Sequence, residues 1–64
     1  MDKSMEVTFH GEREGADWRG LVIGRDDGAV KARTGNLFPT QERAIEGVRT
    51  MWESLQRQLR EVRA

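Results

Sequence analysis

Few side chains in this 64-residue chain could carry acid–base, nucleophilic or metal chemistry. His10 is the only histidine and cysteine is absent, so thiol chemistry, disulfides and cysteine-bearing zinc sites are excluded. A lone imidazole makes a weak general base or metal ligand without partners at a defined spacing. The two serines, Ser4 and Ser54, have no base at motif spacing. We therefore expect no catalytic residue, no metal and no cofactor, and we predict that the protein is not an enzyme.

The adjacent carboxylates Asp26 and Asp27 allow two interpretations. Paired carboxylates can serve as an acid–base or metal site, but Asp27-Gly28 is also the preferred pair of a two-residue type I′ hairpin, in which both central residues need positive φ. We favour the turn. The glycines form no phosphate-binding fingerprint, because none precedes a helix at the required spacing.

Charge is balanced overall but uneven along the chain. Residues 1–30 carry four bases against seven acids, net −3, and residues 31–64 carry seven bases against four acids, net +3. Lys31 and Arg33 would share the outer face of a hairpin, where three-stranded sheets of the plant AP2 domain and of phage integrase arm-binding domains contact the DNA major groove. A pI of 6.6 argues against nucleic acid as the partner. DNA binding through Lys31 and Arg33 is therefore the alternative function.

The elements that position these residues are three strands. Alternation of Met5, Val7 and Phe9 with polar residues predicts a strand at about 5–11, followed by a polar loop at 11–17. The Asp27-Gly28 turn joins strands at about 18–25 and 29–34. In that register one face is apolar and the other mixed: the inner set is Leu21, Ile23, Val30 and Ala32, and the outer set is Val22, Gly24, Lys31 and Arg33. We expect residues 1–4 to be disordered.

A long helix follows at about 41–62, with Thr40 as N-cap and Glu42 complementing the dipole in the first turn. Its apolar positions are spaced three and four apart: Ile45, Val48, Trp52, Leu55, Leu59 and Val62. The stretch from Gln41 to Arg63 has no proline, and its 23 residues would span ~34 Å as a helix, whereas strands of six to eight residues span only ~20–27 Å. The last turns would therefore overhang the sheet, and a second copy of the chain is the simplest cover for them.

Short motifs in this chain resemble a family of small bacterial domains of unknown role, the YegP-like family. Trp18-Arg19 resembles the family's strand start and Asp27-Gly28 its hairpin, while Ala32 resembles the alanine of its third strand. Its helix-start pattern, an aromatic followed by Ser/Thr, Ala and Gly, is matched by Phe38, Thr40, Ala44 and Gly47-Val48. Two spacings are one residue longer than usual, between Trp18 and Asp27 and between Ala32 and Phe38, and the helix runs past the family's usual end. The resemblance implies βββα units joined in pairs into one sheet with exchanged helices, and thus a homodimer for a single copy.

The sequence as a whole predicts an α+β fold, a three-stranded antiparallel sheet followed by one long C-terminal helix, in one domain spanning 1–64. The function we expect is a cytoplasmic, homodimeric interaction module with no membrane segment. Its expected dimer interface is the helix seam together with a sheet edge, the seam residues being Val48, Trp52, Leu55, Leu59 and Val62.

Overall fold

The computed structural model describes residues 6–63, with side chains described as far as Leu59. Three antiparallel strands, β1 (Val7–Glu14), β2 (Asp17–Gly24) and β3 (Val30–Phe38), form one sheet in the order β1-β2-β3, and a single helix, α1 (Gln41–Arg63), follows. The expected α+β fold is thereby confirmed. The predicted disorder at 1–4, the inward-facing Met5 and the side chain of Val62 lie outside the described residues.

The first hairpin is longer and tighter than the sequence predicts. β1 and β2 pair without interruption from Val7 opposite Gly24 to Glu14 opposite Asp17, so the loop expected at 11–17 is wrong. A two-residue turn, Gly15-Ala16, connects the strands, and Gly15 has a φ of +66°. Positive φ at the first central residue alone is the requirement of a type II′ turn, which glycine meets without steric cost. The polar residues taken for a loop are instead exposed strand residues.

The second hairpin differs from the predicted type I′ turn. Four residues, Arg25 to Gly28, form the connection, because the Gly24 N–H donates to the Ala29 carbonyl at 2.8 Å and the Gly28 N–H donates to the Gly24 carbonyl at 2.9 Å. Only Gly28 has positive φ (+68°), and Asp27 does not. The turn lies where Asp-Gly indicated, but it is two residues longer than predicted, and the predicted register is wrong.

The helix covers the face of β2 opposite to the predicted one, and β3 pairs with β2 through two irregularities. Ala32 lies opposite Val22 but Val30 lies opposite Ile23, which inserts Lys31 as an extra residue; Thr34 to Asn36 together oppose the single residue Gly20. Val22 is completely buried, and the glycines on its face, Gly20 and Gly24, are buried as well. Leu21 and Ile23, predicted to face inward, lie on the open face of the sheet.

The helix packs closely on the sheet through small residues. Val22, Ala44 and Val48 are fully buried. A Cβ on Gly20 would lie 2.5 Å from the Val48 Cβ and 2.6 Å from the Ala44 carbonyl oxygen, so glycine is needed there for the close approach of helix and strand. The Phe38 ring similarly lies against Gly47.

The helix begins as predicted and then extends past the end of the sheet. The Arg43 N–H donates to the Thr40 Oγ1 at 3.1 Å, which confirms the N-cap, and Glu42 lies in the first turn. Ala44 already lies above Gly20, the fourth residue of β2. Only ~13 Å of that strand remains beyond Gly20, against ~29 Å of helix beyond Ala44. The radius of gyration, 12.5 Å, exceeds the ~11 Å typical of a compact chain of this length.

Candidate interaction surface

The C-terminal half of α1 presents large apolar side chains to solvent. Leu55 is 41 % exposed and Leu59 is 58 % exposed, as the expected overhang requires, and Trp52 is half-buried. Val48, which the seam also includes, is fully buried against the sheet of its own chain. We therefore remove Val48 from the predicted interface: its spacing is that of the seam, but its position above Gly20 makes it a core residue.

The open face of the sheet is a second surface with apolar residues. Leu21 is buried there by its neighbours, Ile23 is half-buried, and Val30 and Leu37 are 45 % and 40 % exposed. His10 lies directly opposite Leu21 on β1, and Arg33 lies opposite it on β3. This face therefore combines a narrow apolar strip with scattered charges.

The two residues of the predicted nucleic-acid face are not presented together. Lys31 is the extra residue of a β3 irregularity; its Cε lies 2.6 Å from where a Gly24 Cβ would be, on the same side as Val22, and its Nζ is 3.1 Å from the Asp27 carboxylate. Arg33 is exposed on the open face opposite Leu21. Trp18 lies on the side of Val22, and the Arg13 guanidinium lies 6.0 Å from its ring centroid. The prediction that Lys31 and Arg33 share one face is therefore wrong, because the β3 irregularity places Lys31 on the side of Val22.

A polar network that sequence reasoning missed joins all three strands. Arg19 makes a two-pronged contact with Glu14, at 2.7 Å from Nε and 3.1 Å from Nη2, and its Nη1 donates to the Thr34 carbonyl at 2.6 Å. The Thr34 hydroxyl accepts from the Gly20 N–H at 3.1 Å and donates to the Asn36 carbonyl at 2.8 Å. Thr34 thus supplies the acceptor that the interrupted β3 backbone does not offer to Gly20. The sequence signal was limited to an acid and a base, Glu14 and Arg19, on either side of Gly15.

Two carboxylates, those of Glu14 and Asp27, have pKa values lowered by their hydrogen-bond partners. The hydrogen bond from Arg19 lowers the pKa of Glu14 below its ordinary value, with a smaller Coulombic contribution from the same guanidinium. The Ala29 N–H, and then Lys31, lower the pKa of Asp27. Both carboxylates are therefore held ionised, and Asp27 serves the turn, as we expected for this residue.

The remaining chemistry-bearing residues are dispersed. The His10 Nε2 lies 2.8 Å from the Thr8 hydroxyl on the exposed face of β1. Within residues 6–59, no three of His, Asp and Glu cluster closely enough to hold a metal ion. In the same part of the chain, α1 is not apolar enough to span a bilayer.

Comparisons of the chain with family models, with curated proteins and with solved structures found no match.

Proposed function

We propose that the protein is a small non-enzymatic interaction module that forms a homodimer through the C-terminal half of α1 and a free sheet edge. The observation that carries the proposal is the exposure of Leu55 and Leu59 on helical turns that extend past the sheet. The lack of cysteine also suits a reducing compartment such as the cytoplasm.

The energetic argument rests on the size of the chain. Each large aliphatic side chain left in water forgoes roughly 1.5–3 kcal/mol of burial free energy. A domain of about 60 residues has only a few kcal/mol of net stability from its core, and here just three side chains of the described residues, those of Val22, Ala44 and Val48, are completely buried. Covering Leu55 and Leu59 would add substantially to so small a core.

A second copy fits this surface better than a nucleic acid does. The overhanging turns are apolar on the side of Leu55 and Leu59, whereas DNA recognition depends on a concentrated basic surface. Lys31 is already paired with Asp27. The resemblance to the YegP-like family supports the same choice of partner.

Sedimentation velocity at tens of micromolar tests the proposal. We expect the mass of two chains for the parent, and the mass of one chain for Leu55→Glu and Leu59→Glu, because a carboxylate in the buried seam would be desolvated. Leu37→Glu is the matched control, since Leu37 is 40 % exposed but lies on the open face of the sheet; it should remain dimeric. A monomeric parent with α1 ordered would overturn the proposal. Submicromolar, salt-sensitive DNA binding that is lost in Lys31→Glu and Arg33→Glu would support the alternative instead.

A further inference from the structure

The two edges of the sheet differ in their capacity to accept another strand. β3 is interrupted twice, at Lys31 and at Thr34 to Asn36, and such bulges are a common way of blocking an edge against pairing. β1 is regular over all eight residues. The β1 edge is therefore the one suited to sheet extension.

The hydrogen-bonding phase of β1 follows from its partner strand. The Arg25 N–H donates to the Glu6 carbonyl at 3.2 Å, and bonded positions recur at every second residue of an antiparallel ladder. Even-numbered residues of β1 therefore bond to β2. The N–H and C=O groups of the odd-numbered residues point away from the sheet: those of Val7, Phe9, Gly11 and Arg13.

A half-buried apolar flank of the helix lies on the β1 side of the sheet. Gln41 contacts Gly11 of β1, whereas Gly47 contacts Phe38 of β3, which orients the helix about its axis. Successive residues are rotated by 100° about the helix axis. Ile45, Trp52 and Leu59 therefore lie within about 40° of the direction of Gln41 and at least about 120° from that of Gly47. Ile45 and Trp52 are half-buried and Leu59 is exposed. This flank, Ile45–Trp52–Leu59, faces the β1 edge.

We propose that β1 pairs in antiparallel fashion with β1 of a second copy about a two-fold axis at Thr8, which places the Ile45–Trp52–Leu59 flanks of the two helices next to each other. This inference rests on the proposed homodimer and specifies its edge and register. The dimer would be a continuous six-stranded sheet with both helices on one face.

The side chains of β1 select this register. With the axis at Thr8, Thr8 meets the partner's Thr8, Val7 meets the partner's Phe9 and Glu6 meets the partner's His10, and the last two pairs occur twice. Threonine pairs and aromatic–β-branched pairs are favourable cross-strand combinations, and the His10 ring can donate a hydrogen bond to the partner's Glu6 carboxylate.

Neighbouring registers are less favourable. An axis at Phe9 or His10 sets Glu6 against the partner's Glu12 or Glu14, which are like charges. An axis at Gly11 pairs His10 with Glu12, but it sets glycine against glycine and Phe9 against the partner's Arg13, and neither is a favourable cross-strand combination.

Cysteine cross-linking tests the register, because the chain has no cysteine of its own. Even-numbered residues would form non-hydrogen-bonded pairs across the new ladder, with Cα atoms ~4.5 Å apart, which is within disulfide range. We expect Thr8→Cys to become a covalent dimer on mild oxidation, doubling its mass on non-reducing electrophoresis. His10→Cys is the matched control: its two copies would be four residues apart, ~13 Å, and should stay single-chain.

A second pair of variants covers a folding defect in Thr8→Cys. Glu6→Cys and His10→Cys chains, mixed in equal amounts, should yield the mixed covalent dimer, because these positions face each other across the axis. A parent that sediments as a dimer while neither Thr8→Cys nor the mixture cross-links would overturn this interface and leave the proposed dimer intact. A covalent dimer of His10→Cys alone would place the axis at His10 and would also overturn it. A monomeric parent would overturn the proposed function itself.

Discussion

At the scale of single residues, the distance between helix and sheet is set by glycine. Gly20 lies directly beneath Val48 and the Ala44 carbonyl, and no larger residue fits without moving α1 off Val22. Gly47 plays the corresponding part on the helix, where it receives the Phe38 ring. The contact gives a physical reason for the aromatic-to-glycine spacing in the motif that resembles the YegP-like family.

Replacing Gly20 tests this account. We expect Gly20→Ala to lower the free energy of unfolding by about 1–3 kcal/mol, the usual cost of overpacking a close contact. Gly35→Ala is the control, because a Cβ at Gly35 would meet nothing within 4 Å and Gly35 does not have positive φ; its effect should stay within ~1 kcal/mol. Urea denaturation at one fixed protein concentration measures both. Equal effects of the two substitutions would contradict the packing argument.

Some of these residue-level features could be predicted from the residue types alone. The Thr40 N-cap, the position of the Asp27-Gly28 turn and the alternation of Val7 and Phe9 depend on local chemistry and could be predicted. The role of Gly20 could not, because a glycine that relieves a strand and a glycine that admits a helix look alike until the partner element is known.

At the scale of elements, β3 is the strand that departs most from a regular ladder. Thr34 compensates: its buried hydroxyl satisfies the Gly20 N–H, and Arg19 ties its carbonyl to Glu14. A backbone donor buried without an acceptor costs free energy comparable to a lost hydrogen bond, so the side chain makes the irregularity tolerable.

Removing the Thr34 hydroxyl should therefore be costly. Thr34→Val keeps the shape but leaves the Gly20 N–H without an acceptor, and we expect a loss of about 1–3 kcal/mol in the free energy of unfolding. Thr34→Ser keeps the hydroxyl and should lose less. Chemical denaturation gives the stabilities, and amide exchange by NMR should show faster exchange at Gly20 in Thr34→Val only. If Thr34→Ser proved the more damaging of the two, the methyl group rather than the hydroxyl would matter.

The helix contact and the same irregularities explain which element-level predictions failed. The order and type of the three strands and the helix, and the bounds of β2 and the helix, follow from periodicity and turn residues, whereas β1 and β3 extend three and four residues past their predicted ends. The buried face of β2 does not follow from periodicity, because β2 alternates regularly and its buried side is set by the helix, which packs on Gly20 and makes Val22 a core residue in place of Leu21 and Ile23. The four-residue connection and the extra residue Lys31 shift the pairing of β3 with β2. Lys31 and Arg33 were separated for the same reason.

At the scale of the whole molecule, the helix is longer than the sheet that supports it. The sequence predicted the overhang from lengths alone, and Leu55 and Leu59 are exposed as that argument requires. In the proposed dimer a second chain covers these residues, and neither the periodicity nor the fold of one chain contains that surface. The apolar flank of the helix and the regular β1 edge both lie on one side, so a single two-fold axis can bury both.

If that dimer contributes to stability, thermal unfolding must depend on protein concentration, because mass action favours the assembled native state. At about 0.7 kcal/mol per residue, two chains of 64 residues would unfold with an enthalpy of ~90 kcal/mol. A tenfold rise in protein concentration should then raise Tm by about 5 °C. Calorimetry or circular dichroism between micromolar and hundreds of micromolar would measure the shift, with Leu59→Glu as the control whose Tm should not change with concentration. A parent Tm that stays constant over this range would mean that the folded chain is stable alone and that Leu55 and Leu59 contribute nothing to it through association.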